Sequence, residues 1–468
     1  LSKSDAVNNP SMVRSFVVQQ GSGKKVSQGQ AGISGTYSFD DDQKIEATVY
    51  GITRSMRNPI PGQYIELDRR SGGVRTNYSD SFTASDLPFH LLAGGDLEFQ
   101  QDGRKEFENN GLSAADLQTA SNDEIIGKVR IGKTLTDQDE RVTAEGLFTK
   151  VECSPFALLT LMGGVRYDRY IFTANDKLLS DGVDNSGSVA MGNLSRMIGA
   201  TYVLDDHHQV FANYSTSFEV PTTTELGNTP TGEGGFNTSL RPEHIVSLEG
   251  GVRGDVFVDA IRYSVSVYRM MIDGILIPYQ IPNQPGDVLY YKNAGSAVNT
   301  GVECSLIWKP LTGMAISAVV SHMNFVYDSY LADATINGSI VQVQLAGNTI
   351  PGVPQDDIDL GVEYDFPFGL SAEFYTNRTG RMYGNDLNGP DSPTGNPSDF
   401  INDPFTTSQL KLDYTVVIGS VHANLFAGIS NIFDARYNGS VTPNAAGNRF
   451  FEPSPPRNWY AGISMIFE

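Results

Sequence analysis

Alternation of apolar and polar residues is the dominant pattern along this chain. At the C-terminal end, every second residue is apolar from Trp459 through Ala461, Ile463 and Met465 to Phe467, with Tyr460, Gly462, Ser464 and Ile466 between. A period of two places the two sets on opposite faces of a strand. The same period recurs upstream. In Gln43–Ile52 the row Ile45, Ala47, Val49, Gly51 alternates with Glu46, Thr48, Tyr50. In Leu159–Tyr170 the row Leu159, Leu161, Gly163, Val165, Tyr167 alternates with Thr160, Met162, Gly164, Arg166, Asp168. In His208–Phe218 the row Val210, Ala212, Tyr214, Thr216, Phe218 alternates with Phe211, Asn213, Ser215, Ser217. One row suits hydrocarbon and the other water. The reading is an all-β, transmembrane antiparallel β-barrel of the outer membrane, in which a charge such as Arg166 on the lipid row would cost about 2–4 kcal/mol at the midplane.

The connections support this. Short ones are expected near Phe39–Asp42, Cys153–Phe156, Asp205–His208, Arg253–Val256, Pro310–Gly313, Phe366–Gly369 and Ile418–Val421. Long ones, rich in Gly, Asn, Pro, Asp and Thr, are expected over 104–123, 174–187, 219–240, 277–288, 331–354, 384–404 and 436–455. Tight turns at one end and long loops at the other are the pattern of an outer-membrane barrel. About 18 strands fit between Ser11 and Phe467. The aromatic groups Tyr167/Tyr170/Phe172, Phe325/Tyr327/Tyr330 and Phe450/Phe451 are expected in interfacial belts.

Composition narrows the function. No apolar run reaches the roughly 20 residues of a membrane helix, the best being Leu158–Val165. A net charge of −21 excludes a nucleic-acid partner. The acidic stretches Asp40–Asp42 and Asp181–Asp184 read as solvated turns, with calcium the alternative. Cys153 and Cys304 fall on non-neighbouring strands and are expected unpaired. His207 and His208 sit in a turn and point to opposite faces, which suits no joint metal site. No HExxH, GxSxG or phosphate-binding Gly-Lys-Ser/Thr loop occurs, so neither an enzyme nor a resident cofactor or metal is expected.

Several segments carry a resemblance. Asn213–Gly227 (NYSTSFEVPTTTELG), Leu240–Gly254 (LRPEHIVSLEGGVRG), Tyr291–Glu303 (YKNAGSAVNTGVE), Gly347–Pro354 (GNTIPGVP) and Ile429–Tyr437 (ISNIFDARY) resemble, in order, stretches of TonB-dependent outer-membrane receptors. Tyr437–Asn444, Asn448–Arg457 and the Phe467-Glu468 end are similar to the branch that includes the pyrroloquinoline quinone receptor, whose members are often described as siderophore receptors. The resemblance implies energised uptake of a scarce nutrient, a ferric siderophore or pyrroloquinoline quinone, across the outer membrane of a Gram-negative-type bacterium. It implies as partners membrane lipid, the small molecule or metal chelate, and a TonB complex acting through an N-terminal box, on a receptor that works as a monomer. No TonB box, plug domain or first strands are recognisable, and no leader is visible at Leu1. Residues 1–468 are therefore read as the C-terminal part of a barrel of about 22 strands. A passive porin-like diffusion channel is the alternative. Ligand contacts are expected in the long loops and upper lumen, with Phe236, Tyr279, Tyr290, Arg381, Tyr383 and Arg449 as candidates: aromatics to stack, arginines to pair with carboxylates.

Overall fold

The computed structural model describes residues 1–121, 123–230, 234–257, 260–279, 290–336, 339–390, 395–445 and 447–467. Residues 1–24 contain two short helices, Lys3–Asn8 and Ser15–Gln19, and seventeen antiparallel strands of one sheet follow. They are β1 (Lys25–Ser38), β2 (Gln43–Ile60), β3 (Gln63–Ala84), β4 (Leu87–Asn109), β5 (Ile131–Phe156), β6 (Leu159–Asp176), β7 (Gly187–Val203), β8 (His208–Glu219) and β9 (Glu243–Val256). The sheet continues through β10 (Ile261–Asp273), β11 (Ser296–Trp308), β12 (Met314–Ser329), β13 (Asp356–Asp365), β14 (Leu370–Thr379), β15 (Phe405–Ile418), β16 (Val421–Ser430) and β17 (Asn458–Phe467). Each strand pairs with its successor. Among the described residues, β1 and β17 pair on one side only. The expected count of about 18 included a strand near Ser11; there Arg14 caps a helical turn instead.

Register shows why these residues make a membrane wall. Cross-strand partners share a face, and apolar partners meet across most of the strand pairs, with a few charged residues such as Glu145 opposite Leu97 and Arg269 opposite Leu248 on the same row. Val49 lies opposite Val74, and Val74 opposite Leu97. Leu147 meets Tyr167, and Tyr167 meets Leu194. Ile198 meets Tyr214, and Tyr214 meets Leu248. Val267 meets Val302, and Leu425 meets Ile463. These side chains are open rather than packed into a core: Leu147 is 70% exposed and Ile463 53%. An apolar band of this extent is far beyond the patches a water-soluble surface carries. The opposite face holds Asp96, Arg166, Asp168, Arg69 and Asp102, joined by ion pairs.

The ends differ as expected. Phe366–Gly369 and Phe39–Asp42 are turns, and Ile418 and Val421 flank another. Ser85 and Asp86 take positive φ (51° and 66°), the signature of a two-residue hairpin turn matched to strand twist. Two expected turns are displaced: Cys153–Phe156 and Arg253–Val256 remain strand, and the chain reverses just beyond each. At the other end the segment 104–109, expected as loop, completes β4. Cys153 and Cys304 sit on β5 and β11, far apart in the sheet, and both are free thiols.

Among the described residues, the packed apolar clusters lie at the loop end. One joins Ala6 to Met382, Phe400, Val441, Phe450 and Phe451. Another joins Ile277, Tyr327, Tyr330, Ala332 and Leu345. A third gathers Phe172, Met191, Leu226 and Leu240, and a fourth Tyr64, Leu112 and Val129. The belt assignment is therefore corrected for Phe172, Tyr327, Tyr330, Phe450 and Phe451, which are buried in this layer; their neighbours are loop side chains and the inner ends of strands, not lipid. Tyr167 does lie on the outer row. Outward aromatics instead mark the turn end, where Phe82 stacks on Phe89 at 5.4 Å.

Candidate functional site

The inner face of β3–β6 near the loop end carries the densest polar network. Residues two apart on a strand share a face, so the run Glu98, Gln100, Asp102, Arg104, Glu106 lines the lumen from one strand. Arg69, opposite Asp102 in register, donates from Nε and Nη2 to its carboxylate at 2.8 and 2.7 Å. Gln100 donates to the same group at 3.0 Å, and Asp102 is only 2% exposed. Such two-pronged pairing is what lets a carboxylate stay charged away from water. Arg104 donates to Glu106, lies 3.6 Å from Glu140, and reaches with Nη1 to Thr224 Oγ1 at 3.0 Å. Nearer the turns, Arg166 grips Asp96 at 3.1 and 2.9 Å and Asp168 at 2.9 Å, with its guanidinium 5.8 Å from the Phe148 ring centre.

Thr224 belongs to the β8–β9 loop. There Thr222 caps the short helix Thr223–Gly227, with Glu225 returning the bond to the Thr222 backbone. Arg104 thus ties this loop to the barrel wall. Between loop and wall lies a cavity of about 500 Å³, bounded by Met56, Arg69, Arg104, Tyr170, Phe172 and the Val220–Thr224 segment. Its composition, a largely apolar surface with a few placed charges, is that of a small-molecule recess.

A second knot holds the loops of the opposite side. Tyr327 donates to Asp386 at 2.7 Å, Asn348 donates to the Asp386 carbonyl at 2.9 Å, and the Asp386 N–H donates to Asn444 at 3.0 Å. Burial pushes the Asp386 carboxyl above its ordinary range, against the opposing effect of the Tyr327 and Asn444 hydrogen bonds. Burial likewise raises the Tyr330 phenol, helped by Asp386 and Asp333.

The residues singled out from sequence occupy several places. Arg381 sits 5.5 Å from the Tyr383 ring centre and donates to Gln355 at 3.4 Å, so these two are together. Arg449 belongs to the β16–β17 loop, next to Phe450 of the cluster that includes Met382. Phe236 packs on the cluster around Phe172 and Leu226. Tyr290 is buried and pairs in register with Tyr279, whose side chain lies outside the described residues. Part of the expected loop 277–288 is outside them as well. Sequence reading missed Arg69, Asp102, Arg104 and Glu140. The period-two charges of Gln100–Glu106 were the available signal, masked by Gly103 and the loop formers that follow.

At the turn end, His207 Nδ1 meets Asp255 at 2.9 Å and His208 Nδ1 meets Asp205 at 2.7 Å, each imidazole with its own carboxylate. Backbone and side-chain hydrogen bonds from His207 and His208 hold the Asp205 carboxyl below its usual range. The acidic stretches are turn formers: Asp40 accepts from the Asp42 and Gln43 N–H groups, and Asp184 from that of Ser186. Among the described residues no three His, Cys, Asp or Glu side chains converge as a metal site requires.

The sequence matches the family described as TonB-dependent receptor-like, β-barrel, over residues 6–432. Solved structures similar to it include the ferric citrate transporter FecA in its unliganded form, at 15% identity and TM-score 0.73, covering 100% of this chain and 65% of that one. The siderophore receptor PiuA from Acinetobacter baumannii matches at 15% identity and TM-score 0.71, over 95% of this chain and 65% of that one. The copper transporter OprC matches at 16% identity and TM-score 0.66, over 95% and 66%. The chain thus spans a little under two thirds of the length of these structures.

Proposed function

The chain belongs to the TonB-dependent receptor β-barrel family, and from that premise we propose that it forms the transmembrane wall of an energised uptake receptor. It is an outer-membrane protein, and its loop-covered mouth captures a scarce solute that is released inward when a TonB complex acts on the receptor. The observation that carries this reading is the recess under the β8–β9 loop, a largely apolar pocket with a few placed charges on the lumen side of the wall. A simple diffusion pore needs a polar lining but no such recess.

Metal chelates are the favoured cargo. The similar structures are named for ferric citrate, a siderophore and copper. Pyrroloquinoline quinone is the narrower reading, supported by the C-terminal segments around Tyr437–Asn444 and Asn448–Arg457. The six candidates divide between the Arg381–Tyr383 pair, Arg449 on the neighbouring loop, and the Phe236 and Tyr279/Tyr290 side of the mouth; we assign the Arg381 pair to first contact with cargo.

The test is accumulation of radiolabelled ferric siderophores and of pyrroloquinoline quinone by cells carrying the complete receptor, with and without an uncoupler. Uptake that stops when the membrane is de-energised supports the proposal. Equal flux in both conditions, with a steady open conductance in planar bilayers, refutes it in favour of a porin-like channel.

A further inference from the structure

The recess under the β8–β9 loop has walls whose charges are already matched. Four charged side chains bound it, Arg69 and Arg104 against Asp102 and Glu140, so its lining carries no net charge. Register sets them side by side: Arg69 of β3 faces Asp102 of β4, which faces Glu140 of β5. Arg69 is committed to Asp102 through Nε and Nη2. Arg104 is committed to Glu106, lies 3.6 Å from Glu140 and donates to Thr224. An ion entering here would have to break one of these pairs and leave a charge unmatched beside carboxylates as buried as Asp102 (2% exposed) and Glu140 (5%), which is strongly unfavourable. Most of the remaining lining is apolar, including Leu67, Val142 and Phe172 on the wall and Val220 and Pro221 on the loop. Two hydroxyls are left over: Tyr170 and Thr223 line the recess, and neither hydroxyl has a hydrogen-bond partner among the described residues. A cavity of about 500 Å³ falls within the roughly 300–1,000 Å³ of small-molecule pockets.

We propose that the recess is the subsite for an uncharged, flat, largely apolar arm of the transported solute, with the Tyr170 hydroxyl as its specificity-determining contact. The rings of Tyr170 and Phe172, near-parallel with centres 6.4 Å apart, give the arm an aromatic surface. The hydroxyl donates to, or accepts from, a neutral polar group on that arm, such as an amide. The matched walls turn carboxylates away. This deepens the uptake reading and rests on it. It ranks a metal chelate with an uncharged aromatic arm above ferric citrate, and above pyrroloquinoline quinone, whose flat body is edged by carboxylates.

The experiment uses the complete receptor in detergent with Cys153→Ser and Cys304→Ser, and with Thr223→Cys as a reporter on the recess wall. Heat-modifiable electrophoretic mobility shows that each variant is folded. Modification of the reporter thiol by methyl methanethiosulfonate is timed with 2-naphthamide or 2-naphthoate present, one ring system with an uncharged or a charged group. The expected result is half-protection at a roughly tenfold lower concentration of the amide than of the carboxylate. Adding Tyr170→Phe, which keeps the ring, is expected to weaken protection by the amide roughly threefold to tenfold and leave the carboxylate unchanged. Equal protection by the two probes, or better protection by 2-naphthoate, overturns the subsite. So does protection by neither, the outcome if the receptor's own lumen-filling segment occupies the recess, and so does an amide advantage that Tyr170→Phe leaves intact. Any of these alongside energised uptake by cells carrying the receptor leaves the uptake reading standing. A steady conductance with no energised uptake overturns that reading itself.

Discussion

Replacing Ile198 by arginine tests the lipid-facing assignment at one position. Ile198 lies on β7 between Gly163 of β6 and Tyr214 of β8, and is 64% exposed. From the turn after Val203 it is a handful of residues along the strand. At roughly 3.3 Å per residue and a tilt of about 45°, that places it ~12–14 Å above the turn, near the middle of an apolar band about 25 Å tall. A guanidinium there costs about 2–4 kcal/mol. This is a shift of roughly 30- to 900-fold in the folding equilibrium, since each 1.36 kcal/mol is tenfold. Thr201, three residues on, has the opposite parity, faces Thr160 and Phe211 across the sheet, and points into the lumen. Its replacement by arginine is expected to change stability by under ~1 kcal/mol, within the range of surface substitutions. The assay is guanidinium titration of each variant refolded into phosphatidylcholine vesicles, followed by tryptophan fluorescence. Equal losses for the two variants, or a larger loss for Thr201→Arg, would refute the inside–outside assignment of the whole wall.

Other outcomes follow from particular contacts. A Cβ added at Gly94 would meet the Thr76 carbonyl at 2.3 Å, whereas one at Gly35 meets nothing, so Gly94→Ala should lower stability by about 1–3 kcal/mol while Gly35→Ala is neutral or gains about 0.5–1 kcal/mol, read from the same titration. Because the folded state raises the Asp386 carboxyl above its ordinary value near 3.8, its stabilising contribution is complete below that value and fades as pH rises through the folded one. Hydrogen exchange at Asn348 and Asp386, corrected for intrinsic rates, should therefore show easier opening as pH increases from about 3.8, and Asp386→Asn should abolish the trend; a trend of the opposite sign would refute the account. Tyr327→Phe removes the donor to that buried carboxyl and should loosen the same amides by about 1–3 kcal/mol. Cys153 lies opposite Leu161 and Cys304 opposite Val265, both on the outer row, so fluorophores on either thiol should be quenched by brominated lipid and spared by a water-soluble quencher.

What sequence could show here was set by how locally each feature is encoded. The lipid row of β6 was readable because Leu161, Gly163, Val165 and Tyr167 carry their period within a few residues. Turn position was less so: Arg253-Gly254-Asp255 has turn-forming residues, yet all three pair with β10. The recess was out of reach. Arg69, Asp102 and Glu140 lie on three strands, and only register brings them side by side. The loop aromatics failed for a related reason: Phe450 or Tyr327 satisfies a loop cluster as well as an interface, and alternation cannot tell the two apart.

The strands differ greatly in length, from 26 residues in β5 to 10 in β13 and β14. A tube with one high wall and one low wall has a slanted opening.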